Sequence, residues 1–360
     1  MSKINIELAT EKDDAQLRKC IAQNSMKGSI ELSFETEPDF FKAVAVQGKK
    51  VDVIVGRDRE GEIQGFGVRA IKPVYINGKP TDISYLSGLR VNADFRRNVF
   101  LARGYHFLKE LDSNGRFPFY LTTIISDNKE ALRTLESGKA GLPKYQKLCR
   151  FRSFFIPLQT GNQNRNYEIR EGSEFSLDEI LRFMITNGSE KQFFPAYETR
   201  DFPSDFTNGL TNKDFYVAIT GKNIVGVLAL WDQKNIKQTR VKKYNGILRY
   251  TRNLVNLVSP LFQTPLLPSE GELFNNSYIG MPVSRENKPE IIEAILSYLF
   301  QNAKNFKNLV VGFSERDPLL DSLRKFRKRE YDSNIYVVSF NGINLDKLNL
   351  RIPYLETGAL

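Results

Sequence analysis

The chain has 360 residues, 41% of them apolar and 12% aromatic, which is too long for one typical core and apolar enough for two. No apolar run approaches the roughly 18 residues of a spanning helix, and two cysteines, Cys20 and Cys149, cannot build a disulfide framework or a zinc site. A formal net charge of +10 favours an anionic partner or simply solubility, and with one histidine, His106, any Ser–His or polyhistidine chemistry would have to rest on it.

The opening residues lack the apolar core of a secretion signal, so a cytoplasmic location is expected. "INIELAT" (4–10) alternates like a strand, and "KDDAQLRKCIAQN" (12–24) puts Ala15, Leu17, Cys20 and Ile21 on one helical face. A short helix is expected at "EPDFFKAVAV", with Pro38 in its first turn. Two β-rich runs, 51–71 and 72–91, are broken by "DREGE" and by Asn77-Gly78, the strongest hairpin cue in the chain; three antiparallel strands follow. An arginine-bearing turn, "NADFRRN", leads into a helix with Phe100, Gly104, Phe107, Leu108 and Leu111 on its apolar face. The neighbours Phe107 and Leu108 suggest that His106 packs rather than catalyses. "FPFYLTTII" reads as a buried central strand, "SDNKEALRTLESG" as a capped helix ending at Gly138, and "LCRFRSFFIPL" as a strand.

The polar, Gly/Asn-rich stretch 159–166 is the best boundary between domains, which places a first domain at 1–158, a second at 167–345 and a tail at 346–360. Beyond it the programme repeats: a strand, a capped helix at "SLDEILRFMITNG", a hairpin turning near Gly221, then strand, helix, strand, a helix at "PLLDSLRKFRKR" and a last strand at "NIYVVSF". "SYLSGLRVN" overlays "SYIGMPVSREN", and "TTIISDNKEALRTLES" overlays "VVGFSERDPLLDSLRKF". The order and spacing indicate an internal duplication of an α/β unit.

"LRVNADFRRNVFLARGYHFLKEL" and "TTIISDNKEALRTLESGKAGLPKYQ" carry a resemblance to the GNAT-type (GCN5-related) N-acetyltransferases, and residues 165–345 look like a second, degenerate copy. The resemblance implies an α/β (α+β) fold of two tandem domains, each a mixed, bent, mostly antiparallel sheet flanked by helices. It also implies acetyl-CoA as acyl donor, without a metal, lying where the fourth and fifth strands of the first sheet part. In that likeness Leu89, Arg90 and Val91 meet the pantetheine arm through main chain, and Arg96, Arg97, Asn98, Val99, Phe100 and Leu101 form the pyrophosphate turn. Val99 and Leu101 stand where the family has glycines, although N–H groups at a helix start face outward whatever the residue. Asn128 either bonds the cofactor arm or caps its helix. The family's acid, a Tyr, is replaced by Leu135, and Tyr145, on the loop beyond the helix, is the nearest substitute.

For a base, Asp82 and Tyr85 lie on opposite faces of the fourth strand, Glu31 and Glu35 lie in the segment "SIELSFETE" between the early helices, where the resemblance implies an acceptor pocket, and an ordered water would also serve. The expected acceptor is a small-molecule or peptide amine. The second copy has neither arginines nor glycines at its turn "VSRENKPE", so no CoA is expected there, and its roles would be to wall the acceptor pocket or form a homodimer face. Its basic runs, 234–253 with Tyr244 and Tyr250 and 324–330, leave nucleic-acid contact as a lesser reading; no membrane partner is expected. Two rival functions stand beside the acetyltransferase: a tRNA-dependent aminoacyl transferase and a catalytically silent binding protein.

Overall fold

A computed structural model describes residues 4–23, 25–92, 100–113, 117, 119–139, 141–159, 166–262, 265–302, 305–343 and 345–360. The first half runs β1 (Asn5–Leu8), α1 (Asp14–Gln23), β2 (Ile30–Glu35), α2 (Phe40–Ala45), β3 (Lys50–Arg57), β4 (Ile63–Ile76), β5 (Lys79–Val91), α3 (Phe100–Leu111), β6 (Tyr120–Ile125), α4 (Lys129–Leu135) and β7 (Lys144–Pro157). The second runs β8 (Glu168–Glu171), α5 (Leu177–Gly188), β9 (Phe215–Thr220), β10 (Asn223–Trp231), β11 (Gln238–Tyr244), α6 (Leu248–Phe262), β12 (Asn276–Ser284), α7 (Pro289–Asn302), β13 (Asn308–Ser314) and β14 (Arg329–Ser339).

Local chemistry explains the punctuation. Asn77 and Gly78 both take positive φ (53° and 83°), so the two-residue turn matches the twist of β4 and β5. Ser176 accepts the Glu179 amide while the Glu179 carboxylate accepts the Ser176 amide, a reciprocal cap that starts α5. At α2 the cap is Asp39, so Pro38 sits just before the helix rather than in its first turn. The helix expected over 318–329 shrinks to a 3-10 turn, Pro318–Leu323. Lys328 folds its ammonium back onto the Leu323 and Phe326 carbonyls, and β14 begins at Arg329.

The duplication becomes geometry in the sheet. Twelve strands form one surface in the order β1-β3-β4-β5-β6-β14-β7-β13-β12-β10-β9-β8. Each half contributes five strands on its own side, and the final strands exchange: β14 pairs with β6, β7 pairs with β13, and β7 and β14 pair antiparallel at the centre. The two expected sheets are therefore one, joined edge to edge. This exchange removes two edges that would otherwise expose unpaired backbone. The second half also carries an insertion, β11–α6, where the first has only the Asn77-Gly78 turn. β11 pairs antiparallel with β2 in a separate two-stranded ribbon that bridges the halves. The chain's last residues do not trail away, since Tyr354, Leu355, Glu356, Thr357 and Ala359 are buried.

Candidate active site

β5 and β6 run parallel for three residue pairs, Ser84 with Tyr120, Tyr85 with Leu121 and Leu86 with Thr122, and the pairing stops there. Thr122 Oγ1 donates to the Leu86 carbonyl at 2.7 Å at this last rung. Beyond it β5 stays paired with β4 and β6 with β14, so the sheet opens. At the opening the β4–β5 register shifts between Phe66 and Val68, and Gly88 takes φ 64°. A side chain there would be strained and would press on Val68, so glycine is what permits the bulge. The lone glycine inside an alternating run was the signal for it.

A cavity of about 490 Å³ occupies the gap. On one side it meets Leu89, Leu101, Gly104, Tyr105, Asn128 and Tyr145; on the other, Glu35, Lys237, Thr239, Thr357 and Leu360. α3 reaches the sheet closely because the Phe100 ring lies over Gly56 and Gly65, a facing pair on β3 and β4 where any Cβ would collide with it. The buried face of α3 is Phe100, Tyr105 and Leu108. His106 points into solvent toward Glu110, 3.5 Å away, instead of packing. Leu111 and Phe107 are only partly covered.

Tyr145 is the second residue of β7, not a loop residue. Its hydroxyl meets that of Tyr105 at 2.5 Å. Burial, reinforced by its partner, holds Tyr145 well above the ordinary phenol range, so it stays protonated. Leu135, at the family's Tyr position, also lines the cavity. Tyr85 bonds Thr123 Oγ1 at 2.8 Å and is pushed up to about 12 by burial.

Of the residues singled out by sequence, Tyr85, Leu89, Arg90, Phe100, Leu101, Asn128 and Tyr145 come together around this cavity. Asp82, opposite Pro73, and Val91, opposite Gly65, are not on its wall. Arg96, Arg97, Asn98 and Val99 lie outside the described residues. Arg90 turns its guanidinium back onto the Leu89 carbonyl. Asn128 caps α4, its Oδ1 accepting the Ala131 amide at 3.1 Å, and also faces the cavity. Glu35 is held by Arg240, with both carboxylate oxygens 2.9 Å from Nε, and has Lys242 at 3.5 Å. Glu31 bonds Ser25.

The far wall carries groups that sequence reasoning missed. Lys237 Nζ donates to the Gly358 carbonyl at 3.0 Å and to the main-chain oxygen of Leu360 at 3.1 Å. Desolvation and the like charge of Lys72 push its pKa down to about 7. Lys72 itself is buried 5.2 Å from the Tyr85 ring centre and falls to about 8, the Glu356 carboxylate opposing the drop. Nothing in the basic run 234–253 marked Lys237 as different from its neighbours.

The second copy has its own version of the opening. β12 and β13 run parallel for three pairs, and Met281, which overlays Gly88, also takes positive φ (53°). There the Met281 amide donates to Glu356 at 2.9 Å, and a 3-10 turn, Thr357–Ala359, packs against both strands. The chain's own carboxylate takes the amide that the bulge frees.

No family model and no curated protein sequence matches the chain. Solved structures do. Saccharomyces cerevisiae N-myristoyltransferase with bound myristoyl-CoA superposes with a TM-score of 0.59 at 10% identity, covering 94% of this chain and 79% of that one. A GCN5-related glucosamine N-acetyltransferase region of a fungal multi-domain GH3 β-N-acetylglucosaminidase gives 0.60 at 12% identity, over 94% of this chain and 38% of that one. A GCN5-related N-acetyltransferase from Anabaena variabilis gives 0.52 at 11% identity, over 96% and 74%. With its bent mixed sheet, its parting of β5 from β6 and its repetition in the second half, the chain has the fold of the GNAT-type N-acyltransferases.

Proposed function

We propose that the protein is an acyl-CoA-dependent N-acyltransferase whose donor enters the opening between β5 and β6 and whose acceptor amine enters from the side of β2, β11 and the buried chain end. One observation carries this reading: a single cavity joins the bulge at Gly88, the protonated Tyr145 and the weakly basic Lys237. The residues fit such a donor. β5 beyond Leu86 has main chain released from β6, as strand addition by an amide-bearing arm requires, and Gly104 leaves open space on the helix wall. The donor supplies an acyl carbonyl activated by sulfur. The amides at the Gly88–Leu89 bulge would hold its oxygen, Lys237 Nζ would take a proton from the amine, and Tyr145 Oη would deliver one to the departing sulfur.

Acetyl is the donor group that the sequence resemblance suggests. A longer acyl chain is the second reading, favoured by the apolar groups that extend the cavity past the bulge, Phe40, Val44, Val55 and Phe66. The N-myristoyltransferase described with myristoyl-CoA supports the same extension. The test is a thermal-shift series with acetyl-CoA and a fourteen-carbon acyl-CoA, followed by thiol release with a panel of amines. A donor at a hundred times its Kd stabilises by about 2.7 kcal/mol. An unmoved melting point with every acyl-CoA would overturn the reading and leave a silent binding protein or an aminoacyl-tRNA donor.

A further inference from the structure

We propose that α6 is a membrane-surface contact that lays this protein on an anionic phospholipid bilayer. The helix carries two apolar faces. Leu248 and Val255 turn inward, onto a small core of Val241, Tyr244, Leu267 and Phe274. Ile247, Tyr250, Leu254 and Leu257 turn outward, at 80, 82, 61 and 75% exposure. Their spacing of three, four and three residues draws one stripe along the solvent side. Single exposed apolar residues are ordinary, but a row of four large ones, three on α6 and Ile247 just before it, marks a surface that is covered in use.

Charge identifies what covers it. From Gln233 to Ser269 there is no Asp or Glu, and of the seven Lys and Arg there, Lys234 pairs with Asp232, Lys237 lines the cavity and Arg240 and Lys242 meet Glu35, which leaves Lys243, Arg249 and Arg252. Arg249 is exposed with its guanidinium 5.9 Å from the Tyr250 ring centre, and Lys243, exposed on β11 opposite Glu31, precedes the helix in sequence. Arg252 reaches Ser269. The nearest acids in sequence, Glu270 and Glu272, are engaged by the amides of Tyr244 and Ser269. An aliphatic row with an aromatic at one end and cations alongside fits the boundary between acyl chains and negative headgroups, where such helices lie in plane. RNA would use the cations but not Leu254 and Leu257. The basic run is no flat nucleic-acid platform either, because Tyr244 is buried and Arg240 is spent on Glu35.

The contact lies on the surface and spans nothing: no helix among the described residues is long and apolar enough to cross a membrane. It revises the expectation of no membrane partner and does not depend on the acyltransferase reading. α6 covers the outside of the ribbon whose Phe34, Glu35 and Thr239 line the cavity, so docking there would set a cavity wall at the bilayer.

The experiment is co-sedimentation of the full chain with phosphatidylcholine vesicles containing one quarter phosphatidylglycerol, against pure phosphatidylcholine, at low and high salt. Binding to the anionic vesicles that weakens with salt is expected. The double variant Leu254→Ser/Leu257→Ser should lose at least about tenfold in partition, and Lys243→Glu/Arg249→Glu should abolish the preference for the anionic lipid. All four side chains are solvent-facing, so the melting temperature of each variant should match the parent. No sedimentation with either vesicle would overturn the proposal, as would partition indifferent to the leucine pair. So would an RNA complex that needs only the cations, or a dimer in ultracentrifugation that the leucine pair alone dissolves.

Discussion

The hydroxyls of Tyr105 and Tyr145 meet at 2.5 Å, one carried by α3 and the other by β7, on the wall of the cavity that opens between β5 and β6. Two buried phenols sharing one hydrogen bond leave one proton free to point elsewhere. If Tyr145 is the acid, Tyr145→Phe should lower kcat by about tenfold to a hundredfold with little change in donor KM. Tyr105→Phe should cost less, because it removes only the positioning bond. Equal kcat for parent and Tyr145→Phe under single-turnover conditions would remove the phenol from the chemistry.

Lys237 and Lys72 make a pH prediction with a definite sign. In the proposed mechanism Lys237 takes a proton only when neutral, so kcat should fall as pH drops through about 7. Lys72→Met removes the like charge, lets the Lys237 pKa rise and should move that limb to higher pH. A limb that stays put in Lys72→Met would assign it to another group. Stability carries the same signature. The unfolded chain holds the Lys237 proton up to the ordinary lysine range, while the folded chain releases it near 7. Between those values the unfolded state binds more protons, so stability should rise with pH across that window, more steeply in the parent than in Lys237→Met.

Most of the framework was legible because it is local. Asn77-Gly78, Ser176 with Glu179 and the alternation of β3 to β5 each announce themselves within a few residues. What was not legible is what depends on distant partners. Ile30, Leu32 and Phe34 alternate as a strand should, yet the stretch could not be placed as one without its partner some two hundred residues on, the pairing of Ser33 with Arg240. The exchange of β7 and β14 is invisible in either half alone. Lys237 is one lysine among many until the chain end folds over it. The bulge at Gly88 was within reach, since a glycine amid β-formers is a question in itself.

Gly104 offers a way to fill the cavity without touching its polar groups. A Cβ built there meets nothing within 4 Å, and the residue lines the opening from mid-helix. Gly104→Ala should stabilise α3 by about 0.5–1 kcal/mol through backbone entropy alone. Gly104→Leu should retain that gain in urea unfolding and yet weaken acyl-CoA binding at least tenfold by occupying the donor's space. Unchanged donor affinity in Gly104→Leu would mean that the donor does not pass this wall.

Lys191 and Asp317, both in the second half, test what holds the turn before β14. Their charged atoms are 2.6 Å apart with each side chain 1% exposed, and Lys191 also stands 5.9 Å from the Tyr354 ring centre. Asp317 additionally accepts the Leu319 amide and so starts the 3-10 turn before β14, the strand that crosses to the first half. Desolvation presses the Lys191 pKa down, and the nearby carboxylate opposes that drop. Removing one partner strands a buried charge, so Lys191→Met should lose about 3–5 kcal/mol. The pair Lys191→Met/Asp317→Asn should recover part of that loss, because no charge is then left unpaired, although the Leu319 cap survives only weakly. Chemical unfolding of Lys191→Met, Asp317→Asn and the double variant decides it: a double variant as unstable as the sum of its single changes would show that the ion pair contributes no coupling and that the turn, rather than the charge, holds β14 in place.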